Sequence, residues 1–384
     1  MAIDFVPIRI AGVGDRPRLQ WAEGRRFTLP RGVLERAPWR DCVGSSADLT
    51  IPAGPLNVEA DDALRVREHA QFTDQPPLST RLPVSYQLVP PLIRAAAASI
   101  VGRRQRGKVT QWAAFPGWPL DLTADLLSDL AEVPRVSLGD RTPVMLTHDI
   151  DSPEGLLNLV SLFLPIEEAA GARSASFVVP CAWPLDEGLL ADVRDRGHEI
   201  GVHGFDHSNR TPFAEAEERR RRLDAAVPFI RRYGTLGYRA PSLLRTRALL
   251  TDLRSRYAYD SSIPTSGGLF PVPNNGCASA RPCLIDGLIE IPLSLPRDGS
   301  LRFLGYRPAE ILRLWIDCTA QIAESGGAVV LLTHCERRFS GNRAMLDAYR
   351  QFIEYVDGRR DRLAFCTPAE LLPRLRTGLG APES

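Results

Sequence analysis

The stretch Pro143-Val144-Met145-Leu146-Thr147-His148-Asp149-Ile150-Asp151 decides the fold. A short apolar run ends in ionisable residues, and a helix-length amphipathic segment, 154–169, follows it. Such a run, bounded by turn signals, reads as a buried strand. The unit then recurs. Strands are predicted at 144–147, 176–179, 199–202, 236–239, 257–260, 288–293 and 329–333, and helices at 186–196, 212–232, 308–324 and 342–356. Alternating strands and helices imply βαβ units and a mainly parallel sheet, an α/β class. About seven such strands are enough to close a barrel related to, but smaller than, the eight-stranded one.

In parallel α/β folds the working residues stand at the carboxyl ends of strands. Asp149 and Asp151 follow the first strand, His203 and His207 the third, Arg239 ends the fourth, Asp260 the fifth and His334 the last. All are expected to face one mouth. His203 and His207, four apart in His203-Gly204-Phe205-Asp206-His207, can turn both rings to one side of a helical turn or tight loop. The intervening residues lack the glutamate of a zinc-peptidase helix. A hard anionic third ligand is then wanted, from Asp151 or Asp149. These aspartates sit two apart on an extended segment and share one face, so one can hold a divalent ion while the other takes a proton from water. His334, from the opposite wall, suits a general acid. Arg239 is expected to keep the free aspartate ionised, and Asp260 to do the same for His334. His148 reads as a buried hydrogen-bonded histidine, and His198 and Glu199 as residues that fix a loop. By ligand type alone the set suits zinc, iron, cobalt or nickel.

The chain has 384 residues, 44% hydrophobic and 24% charged, and a net charge of +1. That is the composition of an ordinary globular protein, with nothing in the overall balance to call for nucleic acid. Lys108 is the only lysine, so Arg219-Arg220-Arg221-Arg222, preceded by glutamates, reads as a solvated helix face. Seven scattered cysteines give no dense disulfide framework; Cys277 and Cys283 are read as two ordinary thiols. No leader-like start and no apolar run of membrane length are present, so a cytoplasmic location is expected. Before residue 140 the reading is mixed: β-like pieces at 47–51 and 64–66, a helix near 88–101, a short amphipathic stretch at 126–130, and loop-like tracts at 70–85 and again at 263–287.

In order, Thr147-His148-Asp149-Ile150-Asp151, His203-Gly204-Phe205-Asp206-His207, Tyr238-Arg239-Ala240-Pro241, Tyr259-Asp260-Ser261-Ser262 and Leu332-Thr333-His334 resemble the five motifs of the polysaccharide deacetylases, the NodB-homology enzymes of carbohydrate esterase family 4. The resemblance covers residues 140–375. It implies a distorted (β/α)7 barrel over 141–375, after an N-terminal accessory region, 1–140, and before a tail, 376–384. It implies Asp149 as catalytic base, Asp151, His203 and His207 as ligands of zinc or a related divalent ion, His334 as general acid, and Arg239 and Asp260 as supporting groups. Ile150 separates the two aspartates that are adjacent in the commoner form, a spacing found in a divergent branch of the superfamily. The expected activity is removal of acetyl from an N-acetylated sugar, free, nucleotide-linked, lipid-linked or polymeric, in lipopolysaccharide or capsule synthesis. A hydrolase of a formamide, cyclic imide or other non-sugar amide is the second expectation. A non-catalytic glycan-binding module is the third.

Overall fold

The computed structural model describes residues 5–30, 48–50, 63, 76, 91–107, 115–266 and 276–381. Ahead of the barrel lie a three-stranded sheet, β1 (Phe5–Gly12), β2 (Arg26–Pro30) and β3 (Asp48–Thr50), a helix at Pro91–Arg106, and a short hairpin of β4 (Pro116–Gly117) and β5 (Leu120–Asp121). The expected pieces at 47–51 and 88–101 correspond to β3 and this helix, and 126–130 to the end of a helix over Thr123–Leu130. The piece at 64–66 and nearly all of 70–85 lie outside the described residues.

The main sheet holds β6 (Thr142–Ile150), β7 (Ser174–Val178), β8 (Glu199–Val202), β9 (Gly237–Tyr238), β10 (Tyr259–Asp260), β11 (Cys283–Ile285), β12 (Leu288–Glu290), β13 (Val329–His334) and β14 (Leu363–Phe365). Its order is β11-β12-β10-β9-β8-β7-β6-β13, and β14 pairs with the start of β6. Every pair is parallel except β11 with β12. The sheet curls. Beyond β12 the chain crosses to β13, where Leu295 N–H donates to the Val330 carbonyl (3.1 Å) and Val330 N–H to Ser294 Oγ (2.7 Å). The result is the expected α/β class with a distorted barrel.

Alternation along the strands assigns each side chain a face. Val144, Leu146, Val329 and Leu331 pack outward into the larger core with Phe163, Trp315 and Phe352 from the covering helices. Met145, Val330 and Leu332 point inward with Phe177, Tyr259 and Ile291. By the same period Thr147, Asp149 and His334 look into the barrel, whereas His148 looks out.

Two expected helices are broken for local reasons. The segment 154–169 contains a π turn, Leu159–Phe163, just before Pro165, which has no N–H to continue the ladder. The segment 212–232 becomes a 3-10 turn at Thr211–Phe213 and helices at Ala216–Asp224 and Val227–Tyr233, parted ahead of Pro228. The tract 263–287, read as loop, holds strand β11, a bridge from Pro264 to Leu293, and buried Cys277 and Cys283; residues 267–275 lie outside the described residues. Residues 115–130 share the larger core, and Asp125 accepts from Ser279 Oγ (2.5 Å) and Ala280 N–H (2.9 Å), so this segment is clamped to the approach to β11. No helix among the described residues is long and apolar enough to cross a membrane.

Candidate metal and hydrolytic site

β6 delivers Asp149 at its end, and Asp151 follows one residue beyond it. The loop after β8 delivers the histidines. Gly204 has φ +69°, and a Cβ there would lie 2.5 Å from Pro241 Cδ, so glycine lets this loop pack on the segment after β9. Asp206 accepts from Ser208 N–H (3.0 Å) and Oγ (2.6 Å), closing a tight turn, and His207 takes the left-handed conformation, φ 54°. A non-glycine residue in that region carries backbone strain of about 1–2 kcal/mol, a cost the fold accepts to bring the second ring round.

The ligand atoms converge. His203 Nε2 and His207 Nε2 lie 3.5 Å and 3.4 Å from Asp151 Oδ1, and the three ligand atoms fall within 4.8 Å of one another. Donors about 2.0–2.2 Å from a tetrahedral ion stand about 3.4 Å apart, so the spacing fits. Asp151 Oδ1 is buried without a hydrogen-bond partner, and His203 Nδ1 donates to the Arg239 carbonyl (3.0 Å), which leaves Nε2 as the bare lone pair. Burial lowers the pKa of His203 and so favours the neutral, ligating form. Burial raises the Asp151 carboxyl, but His207 and His203 outweigh it and bring it to about 2. The set fits a divalent ion, and no other group of three such side chains does among the described residues.

Asp149 is 2% exposed and takes Arg239 Nη1 at 3.1 Å. Arg239 is fully buried. Its Nη1 also reaches Thr147 Oγ1 (2.9 Å), Nε and Nη2 bind the carbonyl and hydroxyl of Ser261 (2.9 and 3.0 Å), and the guanidinium lies 4.1 Å over the Phe177 ring. Each of the three guanidinium nitrogens is thus engaged within the protein.

His334 ends β13 in register beside Asp149 on β6, not on an opposite wall as expected, and its partner is a second correction to the sequence reading. Its Nδ1 pairs with Asp298 Oδ1 at 2.8 Å; Asp298 Oδ2 also accepts from the His334 N–H (2.8 Å) and Ser340 Oγ (2.6 Å). Asp260, the expected partner, instead accepts from Ser262 N–H and Oγ (3.2 and 2.7 Å), and no hydrogen bond joins it to His334 among the described residues. Burial raises the pKa of Asp260, and Glu290, raised by burial and by Asp260, sits beside it. Burial works against the His334 imidazolium, yet Asp298, then Asp151 and Asp149, raise it to about 9. It is therefore protonated at neutral pH, with Nε2–H left to donate. Asp298 escaped the sequence reading although Leu295-Pro296-Arg297-Asp298-Gly299 follows a strand end and carries turn residues.

Three solved structures share this architecture. One, a proposed polysaccharide deacetylase from Mycobacterium smegmatis, is 22% identical, with TM-score 0.53 over 64% of this chain and 94% of that one. The fold is that of the polysaccharide deacetylases. A second structure with it, from Pseudomonas aeruginosa PAO1 and also proposed to be a polysaccharide deacetylase, is 13% identical, with TM-score 0.50 over 68% and 98%. The allantoinase Puue is 14% identical, with TM-score 0.52 over the same shares, 68% and 98%. No family model and no curated protein matches the chain. The polysaccharide-deacetylase fold thus rests on shape, while the chemistry rests on the side chains.

Proposed function

We propose that this chain is a divalent-metal-dependent amide hydrolase that removes the acetyl group from an N-acetylated sugar of a cell-surface glycan, such as lipopolysaccharide or capsule. The observation that carries the reading is the convergence of Asp151, His203 and His207 at the strand end where Asp149 and His334 stand side by side on β6 and β13. Asp151, His203 and His207 would hold the ion, zinc, cobalt, nickel or iron by ligand type. When bound, the ion supplies Lewis acidity toward the amide carbonyl and lowers the pKa of water. Asp149, oriented by Arg239, accepts the proton of the attacking water. The His334 Nε2–H, held outward by Asp298, donates to the amide nitrogen as the C–N bond breaks. Acetate and the free amine leave.

The Puue likeness keeps a second reading open, hydrolysis of a non-sugar amide such as a cyclic imide or formamide, because one architecture accommodates both names. A glycan-binding module without chemistry is disfavoured by a complete base, acid and ligand set. The test is acetate release by metal-loaded protein from nucleotide-linked and lipid-linked N-acetylhexosamines, with Asp149→Ala as control. Release that chelation abolishes, and that D149A loses by about 10³-fold while keeping its metal, is expected. No release from any of these, with D149A binding metal as well as the parent, sinks the sugar-deacetylase reading.

A further inference from the structure

We propose that Arg297 anchors an oxyanion carried by the substrate, a phosphate or a carboxylate, so that the mouth selects an acidic acylated amine over a neutral one. This rests on the deacylase reading above and names the class of substrate it takes.

Two buried arginines flank the reacting centre, and they differ in what they have spent. Arg239 commits every group of its guanidinium to Asp149, Thr147 and Ser261. Arg297 is 7% exposed, and its Nε donates to Ser300 Oγ at 2.9 Å, but its Nη2 is buried with no hydrogen-bond partner. No carboxylate lies within 4 Å of it among the described residues. A buried guanidinium N–H without a partner is rare and costly, and the usual resolution is a ligand that supplies the acceptor.

The side chain also lines a cavity. Arg297, Ser300, Thr265 and Ser266 give it a polar lining, and Trp118 and Leu243 an apolar one, around a volume of about 30 Å³ that opens to solvent. Ser266 Oγ donates to the Pro119 carbonyl at 2.5 Å, which ties the β4–β5 hairpin over this cavity. The cavity adjoins the hydrolytic mouth: Arg297 directly precedes Asp298, the carboxylate that holds His334, and a Cβ on Gly299, two residues on, would lie 3.7 Å from His334 Cε1.

Charge points the same way. A planar guanidinium with a free edge matches the paired oxygens of phosphate or carboxylate. A neutral polymer offers neither charge nor paired acceptor oxygens.

The test uses the full-length, metal-loaded protein and three probes that share one acetamide: N-acetylglucosamine, its 1-phosphate and its C6 uronic acid. Acetate release gives kcat and KM for each. Calorimetric binding of the three corresponding amines needs no turnover. At least one acidic probe is expected to surpass the neutral one by about tenfold or more in kcat/KM and in amine affinity, a difference of one charge-assisted contact, and which one does so separates phosphate from carboxylate. In Arg297→Gln the acidic-to-neutral ratio should fall to about one, mainly through KM, and Arg297→Lys, which keeps the charge without the fork, should recover part of it. Equal binding of acidic and neutral amines by the parent, or an acidic preference that survives in R297Q, overturns the proposal. Absence of acetate release from every probe counts against the deacylase reading alone, because the amine titrations still decide the role of Arg297.

Discussion

Two histidine clusters lie on opposite faces of β6, built from the same residue types, and only the inner one turns ring nitrogens on an unpartnered carboxylate oxygen. On the outer face His148 uses both ring nitrogens, Nδ1 with Thr333 Oγ1 (2.9 Å) and Nε2 with Glu167 Oε1 (2.8 Å), and Tyr349 donates to that same oxygen (2.8 Å). His198 likewise accepts the Ser174 N–H at Nδ1 (3.0 Å) and meets Glu168 with Nε2 (3.2 Å). On the inner face His203 spends only Nδ1, and its Nε2 points with that of His207 at an unpartnered carboxylate oxygen. A histidine becomes a ligand when the fold consumes one nitrogen and leaves the other bare.

The sharpest way to break this comparison is to remove one ring from each side. In His203→Ala, bound metal is expected to fall from about one equivalent to near zero and acetate release to background, with the melting temperature of the metal-free protein little changed. His148→Phe should do the reverse, lowering stability through the unpaired Glu167 while leaving metal stoichiometry intact. Elemental analysis and thermal melts read both. If H148F loses the metal and H203A keeps it, the assignment of the two faces is wrong.

The next effect is on the acid. Asp298→Asn removes the main cause of the raised His334 pKa, which should fall from about 9 toward the ordinary value of about 6.5, as followed by NMR titration of the ring in metal-free protein. The sign is fixed by the shift. A folded-state pKa above the unfolded one gives stability that is complete below about 6.5 and is lost as pH rises through about 9, and D298N should lose that dependence. In the metal-loaded enzyme the alkaline fall of activity should move to lower pH, with a rate about 10²-fold down at neutral pH. An unmoved His334 titration would mean that Asp298 merely packs there.

What could be read in the sequence follows the range of the interactions. Period-two alternation and the position of each strand end are local properties, so the inward face of β6, the His203–His207 loop, Arg239 and His334 were all legible. The His334–Asp298 pair was not, because it depends on how the chain after β12 crosses to β13, which no local pattern encodes. Asp260 was assigned to His334 from its place at a strand end, but Ser262, two residues on, captures its carboxylate first. The three-residue strands β11 and β14 escaped for a related reason: each is held only by its neighbour, β12 in one case and the start of β6 in the other. Pro165 and Pro228 were visible in the sequence as helix interruptions, yet the apolar periodicity around them runs on and masks the break.

Glu167→Gln probes the closed cluster and should be felt in stability alone. Burial opposes the Glu167 carboxylate, but His148, Ser174 and His198 hold its pKa below the ordinary value of 4.5. Its contribution is therefore present above about 4.5 and lost as pH falls. Replacing it should cost about 3 kcal/mol near neutral pH, shrink the difference between melts at pH 7 and pH 4, and leave metal affinity within about twofold. A large loss of metal affinity would show that the outer cluster reaches through β6 to set the inner one.

The smallest expected effect tests how the two faces are kept apart. A Cβ at Gly201 would lie 2.5 Å and 2.7 Å from the Phe177 ring, and that ring supports the Arg239 guanidinium 4.1 Å above it. In Gly201→Ala the ring must move, and Arg239, with Asp149 held 3.1 Å away, must move with it. Overpacking of this kind costs about 1–3 kcal/mol, and a small displacement of the base should lower kcat by about tenfold with KM and metal content unchanged. Phe177→Leu added to G201A makes room for the new methyl and should restore part of kcat, although the stacking surface is lost. A double variant slower than G201A would show that the Phe177 ring itself, and not only the space it fills, holds Arg239 against Asp149.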